Sequence, residues 1–247
     1  MSPAPRYARH VALPEIGEAG QARIAQAQVL LIGLGGLGCP AAQCLAASGV
    51  GTLALNDFDR VDETNLPRQT LYGPEDVGEL KVEVARDRLQ TLNPALQLRC
   101  LPERLDARVL EAEVGAAAVV LDGTDNFATR LAVNRAAVRT GVPLVSGAAV
   151  RFEGQLAVFG NGGQGPCYRC LYDDEDEWLG NCQGNGVLAP VPGVVGLLMA
   201  LETLKLLAGV GSSQDSRLLL WDAKSGDWRD VAIRVNPHCP DCQGGAV

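Results

Sequence analysis

The chain is poor in three things, and each absence excludes something. Aromatic residues make up only 4% of its 247 residues although 47% are hydrophobic, so a core must come from aliphatic side chains and alanine, as suits a soluble globular protein. Basic residues are in deficit, 21 against 29 acidic ones, for a net charge of -8. That balance argues against general nucleic-acid binding, and any polyphosphate would have to be held by a few gathered cations and by backbone N–H groups. Long apolar runs are also missing: those at 114–121 and 187–200 are short or broken by Gly and Pro, below the ~18–20 residues a membrane span needs. Residues 1–10 contain no apolar stretch of the signal-peptide kind. These features predict a cytoplasmic protein that uses neither membrane nor nucleic acid.

Eight cysteines are present, but in a chain of this length without a leader they do not read as a secreted disulfide framework. Four form two Cys-x-x-Cys pairs, Cys167/Cys170 and Cys239/Cys242, while Cys39, Cys44, Cys100 and Cys182 are scattered.

Hydrophobic patterning predicts an arm and helix over 8–28, a strand over 29–32, a helix over 40–48 stopped by Gly49, and a strand over 52–56. A helix over 77–92, a strand over 96–101 and a helix over 107–114 follow, then a fully apolar strand at 117–121, a helix over 128–139 and a strand at 143–149. Beyond residue 150 the rhythm changes. Strands at 155–159, 217–221 and 231–235 are not separated by helices one by one and read as antiparallel, with a helix over 193–207 among them. The expected fold is α/β, a Rossmann-like nucleotide-binding sheet continued by a smaller antiparallel part. The chain reads as one domain, 1–247, with a nucleotide-binding half (1–150) and a second half (151–247).

Gly33-Leu34-Gly35-Gly36-Leu37-Gly38 lies between the first predicted strand and helix, the context in which a Gly-x-Gly-x-x-Gly turn gains meaning. Such a turn lets backbone approach phosphate oxygens and aims a helix N-terminus at them. Asp57 ends the next strand, where a carboxylate can bind ribose hydroxyls. These features alone allow NAD as readily as ATP.

The residues after Asp57-Phe58-Asp59 narrow the choice. Asn65-Leu66-Pro67-Arg68-Gln69, Gly78-Glu79-Leu80-Lys81, Thr124-Asp125-Asn126, the stretch 144–149, Arg6-Tyr7-Ala8-Arg9 and both Cys pairs occur in order. In this the chain resembles the bacterial relatives of ubiquitin-activating enzymes, the molybdopterin-synthase and thiamine-biosynthesis adenylyltransferases, from Arg6 to Cys242. The resemblance implies ATP-dependent adenylation of the C-terminal Gly-Gly carboxylate of a ubiquitin-like sulfur carrier. It places Arg9, Arg68, Lys81 and Asp125 as catalytic residues, with Asp125 on Mg²⁺. Gly33, Gly35, Gly36, Gly38, Asp57, Asp59 and Asn65 complete the nucleotide site with them. It further implies a homodimer in which Arg9 reaches the partner's site, and a separate sulfur donor, a cysteine desulfurase or a rhodanese. Singly, Arg9 is an ordinary arm residue, Lys81 an ordinary helix lysine and Asp125 a helix N-cap.

The two Cys-x-x-Cys pairs can give four thiolates to one tetrahedral Zn²⁺, clamping the C-terminus to the middle of the chain, and the resemblance implies the same structural zinc. Cys182 matches a loop cysteine that in the thiamine branch links covalently to the carrier. It reads equally as an inert loop residue. Three rival readings remain at this level: an NAD-dependent oxidoreductase, a non-catalytic carrier-binding relative, and an adenylating enzyme acting on tRNA.

Overall fold

The computed structural model describes residues 5–161, 165–172, 185–211 and 216–242. Its spine is one eight-stranded sheet: β1 (Gln28–Ile32), β2 (Thr52–Asn56), β3 (Gln97–Leu101), β4 (Val119–Asp122), β5 (Leu144–Val150), β6 (Glu153–Phe159), β7 (Arg217–Asp222) and β8 (Asp227–Ala232). They lie in the order β3-β2-β1-β4-β5-β6-β7-β8. Pairing is parallel from β3 to β5 and antiparallel from β5 to β8. The expected α/β fold with an antiparallel continuation is therefore present, and the two halves share one sheet.

The helices are α1 (Ala8–Val11), α2 (Gly17–Gln26), α3 (Gly38–Ser48), α4 (Lys81–Leu92), α5 (Ala107–Gly115), α6 (Phe127–Thr140), α7 (Tyr168–Leu171) and α8 (Pro190–Ala208). Strand residues point alternately to the two faces. Val29 and Leu31 join the cluster packed with α3, α4 and α8, whereas Leu30 and Ile32 join the one packed with α5 and α6. The parallel strands are thus covered on both sides, which is why β4 is apolar and buried throughout. Local signals set the helix ends: Asp106 and Asn126 cap α5 and α6, and Gly49, Gly141 and Gly209 end α3, α6 and α8 in the left-handed conformation. The helix α8 has the length and apolarity of a membrane span, yet half of it is buried within the fold.

Two elements differ from expectation. The helix predicted over 77–92 begins only at Lys81, because Gly78 takes a φ of +93° and Leu80 bridges Arg60 in an extended conformation. Backbone bonds from Val61 N to Glu79 O and from Lys81 N to Asp59 O complete that short ladder. The last strand lies at Asp227–Ala232 rather than 231–235, with Trp228 opposite Trp221. It is an exposed edge strand without an apolar alternation to betray it.

Candidate functional site

In an open α/β sheet, ligands bind outside the carboxyl ends of the strands where the strand order reverses. Here the reversal falls between β1 and β4, and the loops that follow both strands line a cavity of about 1170 Å³. The Gly33–Gly38 turn forms one wall. Gly33 has φ +87° and lies against the backbone of Gly123, while a Cβ on Gly38 would sit 1.9 Å from Gly33 O. Neither position accepts a side chain, so the turn holds the loops after β1 and β4 in contact. The helix α3 starts directly behind it with no side-chain cap and no acidic residue in its first turn. Such an end suits an anion.

Asp57, at the end of β2, accepts the Leu34 N–H at 2.7 Å and the Asp59 N–H at 2.9 Å. Burial, partly offset by nearby Lys81, raises its carboxyl above the ordinary range. Its first task is hence to fix the Gly turn, at the wall of the cavity. Lys81 is 5% exposed, and its ammonium pairs with the mostly exposed Asp59 carboxylate at 3.0 Å. The displaced helix start described above is what brings Lys81 to the cavity wall. Arg68 donates to Thr64 O and to the Asn65 side chain, and Asn65 also accepts from Gln69 at 2.6 Å. The buried Gln69 Oε1 has no partner among the described residues.

The same cavity is lined by Asp125, in the loop between β4 and α6. It is exposed to the cavity and no described residue bonds to its carboxylate. The N-cap of α6 is Asn126, which accepts from Thr129 N at 2.9 Å, so capping does not account for Asp125. Gly33, Gly35, Gly36, Asp57, Asp59, Asn65, Arg68, Lys81 and Asp125 all line the one cavity. Gly38 supports it from behind. Arg9 does not reach it: the residue lies exposed on α1, whose neighbour Tyr7 packs against Gly49 and bonds to Asn93. Cys182 falls outside the described residues. The reading from sequence assigned no role to Gln69, to Thr124 or to the Phe58–Arg104 pair at the rim, where the guanidinium lies 4.5 Å from the ring centre. Gln69 could have been found, since it ends the segment that carries Asn65 and Arg68.

The four paired cysteines do meet. The sulfurs of Cys167, Cys170, Cys239 and Cys242 all lie within 4.8 Å of one another, with 3.6 Å between Cys167 and Cys239 and 3.4 Å between Cys170 and Cys242. These separations are far beyond a disulfide bond. They approach the ~3.8 Å edge of a tetrahedron built on a Zn–S distance of about 2.3 Å. The donor set and spacing fit zinc. Cys39, by contrast, is buried and its thiol is pushed up to about 12 by desolvation, which makes it a packing residue.

Fold and site together define an α/β protein with a nucleotide-type cavity at the switch point of its sheet and a four-cysteine cluster that could hold a metal ion. More specifically, the chain belongs to the ThiF family, which it matches over residues 7–242. It is 47% identical over 239 residues to the Escherichia coli K12 sulfur carrier protein ThiS adenylyltransferase, covering 97% of this chain and 95% of that one. To a Thermus thermophilus sulfur carrier protein adenylyltransferase it is 45% identical over 243 residues, 96% and 90% of the two chains. The mouse adenylyltransferase and sulfurtransferase MOCS3 is 47% identical over 239 residues, and there the chain spans 51% of the relative's length. Among solved structures, E. coli MccB with ATP superposes with a TM-score of 0.84 over 97% of this chain and 74% of that one, at 24% identity. That likeness establishes the fold.

Proposed function

We propose that the chain uses ATP to adenylate the C-terminal glycine carboxylate of a ubiquitin-like sulfur-carrier protein, releasing pyrophosphate. The observation that carries this reading is the convergence of Arg68, Lys81, an uncapped helix N-terminus and an unpartnered Asp125 on one cavity at the sheet's switch point. The relatives named as sulfur-carrier adenylyltransferases support it. Because the halves share one sheet, the chain acts as a single adenylyltransferase unit.

The chemistry demands charge rather than a base. A C-terminal carboxylate, with an ordinary pKa of roughly 3.3–3.7, is already ionised at neutral pH. One of its oxygens attacks the α-phosphorus, the bond to the bridging oxygen breaks, and pyrophosphate leaves with that electron pair. Arg68 and Lys81 offset the repulsion between the two anions and the charge on the leaving group. Asp57 and Asp59 hold the Gly turn and orient Lys81, leaving Asp57 for the ribose. Asp125 would hold Mg²⁺, which supplies further neutralisation of the triphosphate when bound. Zn²⁺ on the four cysteines would hold the C-terminal segment and take no part in the reaction.

The remaining parts of the reading follow the family resemblance. Arg9, displayed away from its own cavity, serves the partner's site in a homodimer. The exposed Leu197 and Leu201, one turn apart on α8, offer apolar surface for such contacts. A separate cysteine desulfurase or rhodanese supplies sulfur, Cys182 is the covalent link if the pathway is of the thiamine kind, and the buried face of α8 suits a core helix of a cytoplasmic protein.

The test is ATP–pyrophosphate exchange in the presence of purified thiamine-type and molybdopterin-type carriers. Exchange stimulated by one of them, and abolished by Asp125→Ala, is the expected result and names the pathway. Absence of exchange with either carrier, together with NADH binding, would instead favour an oxidoreductase.

A further inference from the structure

Asn134 has no place in the adenylation chemistry, yet it is a fully buried polar residue on the apolar side of α6. Its carboxamide is completely engaged. The Oδ1 atom accepts the N–H of Tyr168 at 2.9 Å, and Nδ2 donates to Asp241 Oδ2 at 2.8 Å and to Cys167 Sγ at 3.6 Å. Tyr168 lies between Cys167 and Cys170, and Asp241 between Cys239 and Cys242. A single side chain therefore grips both Cys-x-x-Cys loops, at one atom a ligand and at two others the residues between ligands. The orientation of the amide is fixed by its partners, since only the NH₂ end can face a carboxylate and a sulfur.

The geometry points to Asn134 as the positioning residue of the metal site, an assignment that rests on the reading of the four cysteines as a zinc site. A zinc ion with four thiolates carries a net charge of about −2 in a half-buried setting. An N–H donated to a thiolate sulfur spreads that charge and fixes the sulfur's direction, and partners of this kind set metal affinity alongside the ligands themselves. Asp241 accepts the other amide hydrogen and so keeps the donor aimed at Cys167. Through Asn134 the cluster is also tied to α6, the helix that follows Asp125.

Asn134→Asp is the informative change. It keeps the acceptor for Tyr168 and replaces the donor by a carboxylate facing a thiolate and Asp241. With the full-length chain, zinc uptake by the unaltered protein is measured first, then affinity by competition with a chromophoric chelator. The expected result is one equivalent of zinc, held roughly 10–100-fold more weakly by Asn134→Asp. A shift of the thiolate-to-metal charge-transfer band is expected in the Co²⁺-loaded variant. A merely structural role would lower the unfolding midpoint without moving that band. Should Asn134→Asp not fold, Asp241→Ala decides the matter: it removes only the acceptor that aims the amide and is expected to weaken zinc several-fold with a smaller band shift. Unaltered affinity and an unaltered band in the variant that folds would overturn the role of Asn134. Failure of the unaltered protein to take up zinc would overturn the zinc reading and this inference with it.

Discussion

The two halves of the sheet hold their loops in different ways. In the parallel half, strands such as β4 are buried along their whole length and covered by helices on both faces. The loops leaving them emerge together at one edge, so backbone packing alone aligns Gly33, Asp57 and Asp125 around a cavity. In the antiparallel half, β8 is exposed at every residue and its pairing with β7 is the last of the sheet. Residues 233–242 continue from it without regular structure; Ile233 packs into the core, and beyond it the segment is tied to the body by the meeting of Cys239 and Cys242 with Cys167 and Cys170 and by the bond from Asn134 to Asp241. The candidate chemistry sits where burial is complete; where burial runs short, a cluster of four cysteines brings the end of the chain against its middle.

If that contrast holds, metal removal should produce the largest effect and a local one. Chelation of the zinc-loaded protein, or Cys170→Ser, is expected to cost several kcal/mol of stability. Hydrogen exchange should show the loss of protection in 165–172 and 216–242 before it reaches β1 or β4. Simultaneous loss throughout the sheet would mean that the halves do not differ in the way described.

Next in size is the opposite kind of change, one that spares stability and removes activity. Lys81→Ala takes away a cation whose ion pair is with Asp59, a side chain 56% exposed that can return to water at little cost, and leaves the nearby Asp57 free to take up a proton. Pyrophosphate exchange should fall about 100-fold while the unfolding midpoint stays near that of the unaltered protein. A large drop in the midpoint with little loss of exchange would make Lys81 a structural residue.

The glycine turn combines both kinds of effect within six residues. A Cβ at position 38 would collide with Gly33 O at 1.9 Å, whereas at position 35 the nearest atom is Gln69 Nε2 at 3.8 Å. Gly38→Ala should therefore destabilise the fold by roughly 1–3 kcal/mol, and Gly35→Ala should fold normally but bind ATP more weakly. Thermal unfolding and ATP titration of the two variants separate turn-building from phosphate-facing glycines. Equal behaviour in both measurements would remove the distinction.

Much of this was legible before the structure because local rules and tertiary packing agree in the parallel half. Thr52–Asn56 appears as patterning places it, and the glycine stop at Gly49 shows in both. The departures have physical causes. Lys81 opens α4 instead of lying inside a longer helix because residues 78–80 pair with 59–61, a contact across twenty residues that helical periodicity cannot reveal. The strand β8 was displaced because an edge strand exposed on both faces carries no alternation. Asn134 left one trace, a polar residue on a stripe otherwise occupied by Leu131, Val133 and Ala137, but nothing in the spacing pointed to cysteines thirty or more residues away.

The smallest predicted effect concerns a cost that the parallel half carries for its buried strand ends. Asp122 ends β4 at 1% exposure. Its Oδ1 accepts from Thr124 N and Oγ1, but Oδ2 is buried without a partner among the described residues. Desolvation raises its carboxyl above the ordinary value of 3.8, with Arg130 only partly opposing. In the folded chain it thus keeps a proton that the unfolded chain has already released. Through the window beginning near 3.8, rising pH favours the unfolded state, and the contribution of this group to stability falls. Asn at this position does not titrate, so the stability of Asp122→Asn relative to the unaltered protein should improve as pH rises above about 4. Urea unfolding at a series of pH values measures the difference directly. A flat difference would show that Oδ2 is satisfied in solution and that the buried end of β4 carries no such cost.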